Sequence, residues 1–235
     1  MGWVQVAAQS APDSTLPKGK TDSAGHQFCI GIDVFHPVVN LFASGRSAWE
    51  LSFDNYMHNE YYGVAELGWG SASVNYSNLK YNTSNTFLRL GFNKSILPRD
   101  RRSDWDMMFF GLRCAVANVH RSSATFNIAD SVWGNTRDSA VASKPSFPAI
   151  WAELDLGMRV AIGRSFFAGW TFRGKFMLNA KSFQDLAPQY IAGYGRGDKN
   201  TAFDLNVHIS WALRWDRFKK GAPPKPANPP IPQAQ

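Results

Sequence analysis

One stretch limits this chain more than any other. From Thr201 to Trp215 the residues read TAFDLNVHISWALRW. Phe203, Leu205, Val207, Ile209, Trp211, Leu213 and Trp215 are apolar, while Asp204, Asn206, His208, Ser210 and Ala212 between them are polar or small. Strict alternation of this kind is a strand with one oily and one wet face. It exceeds the roughly 5–6 residues of an average soluble strand and meets the about 9–11 that a tilted strand needs to cross a bilayer. In that setting the oily face meets lipid and the wet face meets a barrel lumen.

The rest of the chain supplies partners. The pattern predicts strands over about Phe28–His36, Arg46–Asn55, Tyr61–Gly70, Asn85–Asn93, Trp105–Val119, Ala149–Ile162 and Phe166–Leu178. Between them are expected a loop from Pro37, a short turn at NYMHNE, a polar loop SASVNYSNLKYN, a basic turn ILPRDRRSD, a long loop over about His120–Phe147, a tight turn at Gly163–Ser165 and a loop containing GYGRGD. The glycines of that last loop are read as serving turn geometry, because no GK[ST] follows them and the context is not strand-to-helix. The fold class expected is all-β: a single antiparallel up-and-down transmembrane barrel of about eight strands, with both termini on the periplasmic side. Composition agrees, with 14% aromatic and only 18% charged residues, and no run of apolar residues is long enough for a membrane helix. A soluble barrel or sandwich would reverse the faces. Against it stands the wet face, where glycines sit beside isolated charges: Gly31 with Asp33, Gly111 with Arg113, Gly157 with Arg159.

Three domains are expected: 1–26, a signal-peptide remnant and linker; 27–218, the barrel; and 219–235, a Pro-rich periplasmic tail. The inward face is expected to carry the acids Asp33, Glu50, Asp54, Glu66, Glu153, Asp155 and Asp204. Opposite them stand the bases Arg89, Arg113, Arg159, Arg173 and Lys175, with His208 able to join. Unpaired charge in a confined lumen goes uncompensated, so near-balanced signs predict a salt-bridge network that plugs the barrel.

Other chemistry is thin. The net charge is +7, but the bases are dispersed rather than clustered with stacking aromatics, so no nucleic-acid partner is expected. Cys29 and Cys114 fall on opposite faces, which predicts two free buried thiols and no disulfide, and neither their spacing nor their neighbours suggest a metal site. No cofactor is expected. His120 and Ser122, at the loop end of the fifth predicted strand, supply the base and nucleophile types of an acyl hydrolase without an evident orienting acid.

PAIWAELDLGMRV, GWTFRGKF, and PQYIAGYGRG running into TAFDLNVHISW, with VAELGWG and FLRLGFN, resemble a Bacteroidota family of uncharacterised outer-membrane β-barrel proteins, over about Phe28–Trp215. The resemblance implies the bacterial outer membrane and brings no catalytic residues. The Pro-rich tail departs from it. The functional expectation is a non-enzymatic barrel in contact with the lipid bilayer and lipopolysaccharide. It would act as an accessory subunit of a larger outer-membrane complex for barrel assembly, secretion or nutrient import. The alternatives are a lipid A deacylase-type enzyme using His120 and Ser122, and a stand-alone stabilising or adhesive barrel.

Overall fold

A computed structural model describes residues 26–42, 45–75, 79–97, 104–122, 124–130, 134–140, 146–181 and 188–215. The expected signal-peptide remnant and Pro-rich tail lie outside the described residues. The elements are β1 (His26–Asp33), α1 (Phe35–Phe42), β2 (Arg46–His58), β3 (Tyr61–Asn75), β4 (Leu79–Ser95), β5 (Met107–Arg121), β6 (Ala124–Asp130), β7 (Gly134–Ala140), β8 (Ser146–Ala161), β9 (Phe166–Met177) and β10 (Thr201–Trp215).

Eight of the ten strands among the described residues close an antiparallel up-and-down barrel in the order β1-β2-β3-β4-β5-β8-β9-β10. Closure is made by β1 on β10, in register from His26 opposite Trp215 to Asp33 opposite His208. β6 and β7 form a hairpin inside the β5–β8 connection, and β6 pairs with the start of β4. β1 begins and β10 ends at the same rim, called here the terminal rim; α1, the hairpin and the loop after β9 are at the far rim.

Alternation governs every barrel strand, because successive side chains point to opposite faces. Along β5 the odd-numbered residues from Met107 to Arg121 are all buried. Outward, Ile30, Leu67, Leu88, Leu90, Phe92, Leu112, Val116, Leu154 and Leu205 are all exposed large apolar side chains. Every barrel strand contributes exposed large apolar side chains, from Ile30 on β1 to Leu205 on β10, whereas the largest apolar patch of a typical water-soluble monomer is about 300–600 Å2.

Three connections differ from the sequence expectation. The loop from Pro37 is instead the helix α1. Asp33 Oδ1 accepts from the Phe35 amide at 2.8 Å and starts the turn, and Pro37 sits in the first turn, where its missing N–H costs nothing. The polar loop SASVNYSNLKYN is mostly strand: β3 and β4 pair from Tyr61 opposite Lys94 out to Asn75 opposite Lys80. The long loop over 120–147 contains the β6–β7 hairpin. The short turn at NYMHNE is a two-residue one, with φ of 50° at Asn59 and 62° at Glu60, the left-handed pair that suits the twist of a hairpin. Of the two cysteines, both free, Cys29 is buried on the inward face, but Cys114 is exposed on the outer wall rather than buried.

Candidate functional site

The lumen is filled in three layers. At the terminal rim Cys29, Tyr56, Tyr62, Trp105, Met107, Phe109, Phe167 and Ala212 form one buried apolar cluster. At the far rim Phe87, Val119, Phe147, Trp151, Ile191, Ala192 and Tyr194 belong to a second. Between them lie the charges. Space for these large side chains comes from glycines on the facing strands. A Cβ on Gly68 would stand 2.2 Å from the Phe87 ring, and one on Gly157 2.5 Å from Phe109.

The charged layer is centred on Arg89 of β4, whose side chain is wholly buried. Its guanidinium pairs with Glu50 of β2, with Glu66 of β3 at 3.1 Å and with Glu153 of β8 at 3.1 Å. Arg173 of β9 bridges Glu50 at 2.9 Å and Glu66 at 3.2 Å. Arg113 of β5 pairs with Glu66 and, at 2.8 Å, with Asp155. The Trp151 indole donates to Glu153 at 2.5 Å and ties the charge layer to the far cluster. Arg159 reaches Asp54 at 2.7 Å and lies against the rings of Tyr62 and Phe167 at the terminal side. A cavity of about 30 Å3 remains among the charges, lined by Asp54, Arg159, Arg173 and Asn206, among others. It has room for one or two waters. Arg159 Nη2, Arg173 Nε and Asn206 Nδ2, all buried, have no hydrogen-bond partner in the protein.

The far rim carries a second, smaller charge cluster. Lys175 Nζ pairs with Asp204 at 2.6 Å. Asp204 also meets His36 Nε2 at 3.0 Å, and His36 Nδ1 pairs with Asp33. Burial alone would lower the His36 pKa, but the hydrogen bonds its ring donates to the Asp204 and Asp33 carboxylates outweigh it and raise it to about 9.

Above this cluster the loop after β9 folds into the barrel mouth. Asn85 clamps it with both ends of one amide: Nδ2 donates to the Ala192 carbonyl at 3.1 Å, and Oδ1 accepts from the Ala192 amide at 3.0 Å. Gly193 takes φ of +84°, which strains any other residue, and a Cβ there would meet the Phe87 ring at 2.7 Å.

Asp33, Glu50, Asp54, Glu66, Glu153, Asp155, Asp204, Arg89, Arg113, Arg159, Arg173 and Lys175 all point into the lumen and all take part in ion pairs. His208 points inward too, over Gly169, but among the described residues it pairs with no carboxylate. His36 takes that role, although the alternation pattern alone does not mark it as an inward charge. The signal for it was Asp33-x-x-His36-Pro37, a strand end running into a helix start.

His120 and Ser122 are not paired with each other. The His120 ring nitrogen Nδ1 bonds to Ser146 Oγ at 2.9 Å, and Ser122 Oγ accepts from the Asn82 amide at 2.9 Å. Both border a shallow outer hollow of about 570 Å3. Among the described residues no group of three or more His, Cys, Asp or Glu is placed to hold a metal ion.

Comparison with known proteins returns a family model described as Domain of unknown function (DUF6048), which matches residues 3–215. No curated protein matches the chain in sequence. Among solved structures, Ail, the attachment invasion locus protein of Yersinia pestis, is similar at 6% identity and a TM-score of 0.41, over 81% of this chain and 99% of that one. Neisserial surface protein A is similar at 8% identity and a TM-score of 0.35, over 80% and 95%. The N-terminal β-barrel domain of Pseudomonas aeruginosa OprF is similar at 9% identity and a TM-score of 0.31, over 81% and 98%.

Proposed function

The chain belongs to the DUF6048 family, and from that premise we propose a non-enzymatic, plugged barrel of the outer membrane that serves as an accessory subunit of a larger outer-membrane complex. One observation supports this reading: among the described residues, side chains fill the lumen in three layers, with a cavity of about 30 Å3 left among the charges. A barrel sealed in this way transports nothing through itself, so its useful surfaces are its outer wall and its rims. The exposed apolar wall supports a bilayer as its surroundings. With the terminal rim in the periplasm, the far rim faces the lipopolysaccharide leaflet, and the Pro-rich stretch 219–235 gives a segment suited to docking on a periplasmic partner. Barrel assembly, secretion and nutrient import are the machines such a subunit would join in a Bacteroidota bacterium.

A second reading, a stand-alone adhesive barrel, is favoured by the β6–β7 hairpin, which pairs on β4 beyond the end of the β5 ladder. One experiment separates the two. The tagged full chain is extracted from native outer membranes in mild detergent and the co-purifying proteins are identified by mass spectrometry. Stoichiometric recovery of a large barrel with its lipoproteins is the expected result. Recovery as a lone monomer would overturn the subunit reading in favour of the adhesive one.

A further inference from the structure

At the far rim, a hollow of about 370 Å3 opens beside β10, next to α1. Cations reach it from every side: His36 from α1, Arg46 from β2, Lys175 from β9, and Arg196 and Lys199 from the loop after β9. Carboxylates answer only some of them. Asp33 and Asp204 hold His36, Asp204 also holds Lys175, and Asp198 holds Arg196 at 2.6 Å. Arg46 and Lys199 have no carboxylate partner among the described residues. Arg46 is steadied by the Tyr190 ring, 5.3 Å from its guanidinium carbon to the ring centre. The hollow therefore carries excess positive charge at neutral pH, with His36 protonated.

The same hollow has an apolar edge. Phe203 borders it and is 70% exposed on the outward wall, stacked on Phe172 with ring centres 5.9 Å apart. Beside it α1 exposes Val38, Val39, Leu41 and Phe42. Cations facing inward and an apolar lip facing outward suit a ligand with an anionic head and hydrocarbon chains. A soluble anion would leave the lip bare, and a neutral lipid would leave Arg46 and Lys199 unanswered.

We infer that this hollow seats the phosphate-bearing headgroup of a lipid in the surrounding leaflet, with Arg46 and Lys199 pairing with phosphate and Phe203 and α1 lying along the acyl chains. The inference rests on the membrane-barrel reading above and adds to it a specific lipid site.

The test uses the full chain in mild detergent, titrated by native mass spectrometry with three probes: diphosphoryl lipid A, a glucosyl diacylglycerol without phosphate, and inorganic phosphate. The expected result is preferential retention of lipid A, weakened about tenfold or more in the double variant R46Q/K199Q, since each basic group near anionic lipid contributes a comparable step. The single variant K199Q, in an exposed loop, is expected to show part of that loss and covers the case where the double variant folds poorly. Unchanged lipid A binding in both variants would overturn the inference. So would equal retention of the phosphate-free lipid, or inorganic phosphate binding as well as the lipid does. Insertion of the wild type into vesicles, read by its heat-modifiable gel mobility, is scored separately. Failure there sinks the membrane reading itself, whereas insertion with indifferent variants sinks only the lipid site.

Discussion

Arg89 shows how a single residue organises the interior. Three carboxylates from three strands converge on one guanidinium that has no access to water. Removing it leaves Glu153 buried with no ion-pair partner among the described residues, and Glu50 and Glu66 held by Arg173 and Arg113 alone, which costs far more than the intact pair contributes. Arg89→Met is therefore expected to destabilise the barrel by about 3–5 kcal/mol, read from urea unfolding in detergent micelles. Gly157→Ala acts by packing instead. Its Cβ would lie 2.5 Å from Phe109 and 2.7 Å from the Trp170 carbonyl oxygen, so a loss of about 1–3 kcal/mol is expected in the same assay. His36 makes a pH-dependent contribution. Its pKa rises from 6.5 to about 9 on folding, so the charged form is favoured by the folded state. That contribution is complete below about pH 6.5 and is lost as pH climbs through 9. Hydrogen exchange of α1 is expected to quicken over that range, and His36→Gln to abolish the dependence while Asp33, Asp204, Lys175 and Arg46 stay in place.

At the level of elements, alternation was legible wherever the outer wall is apolar. β5, β8 and β10 announce themselves because most outward residues are large hydrocarbons and most inward ones are small, polar, charged or aromatic. The contrast fades toward the far ends of β3 and β4. There Ser71, Ser73, Asn82 and Ser84 point outward, so the outer face is no longer apolar and the segment reads as loop although it is fully paired. α1 was hidden for another reason. Pro37 reads as a break, while the Asp33 side chain that starts the helix acts only once β1 has placed it. The twelve inward charges could be read from their parity alone, but their pairing could not, because parity fixes a face and not a height. His36 and Asp204 are 168 residues apart in sequence and meet only through barrel closure. The plug formed by the loop after β9 left no trace beyond its glycines. Its anchor is testable: Asn85→Ala removes both bonds to Ala192 and is expected to raise amide exchange through Ile191–Gly195 with little effect on the strands.

For the whole molecule, the layers predict electrical silence. Aromatic clusters close both rims and ion pairs close the middle, so the protein in a planar bilayer is expected to show no steady single-channel conductance. Large, stable openings would contradict the plugged lumen. The charges also fix register. Sliding one strand by one residue would turn its carboxylates or guanidinia into the apolar wall, a far larger penalty than misplacing a methyl group.

The seam between β1 and β10 has a consequence for how the protein is made. The first described strand finds its second neighbour only in the last one, Asp33 meeting His208 and His26 meeting Trp215. No shorter product can finish the cylinder. A chain halted before Thr201 would present β1 and β9 as two bare edges, and bare edges recruit other chains. Closure of the barrel thus waits on β10, and until it pairs, the open seam itself marks the cylinder as unfinished.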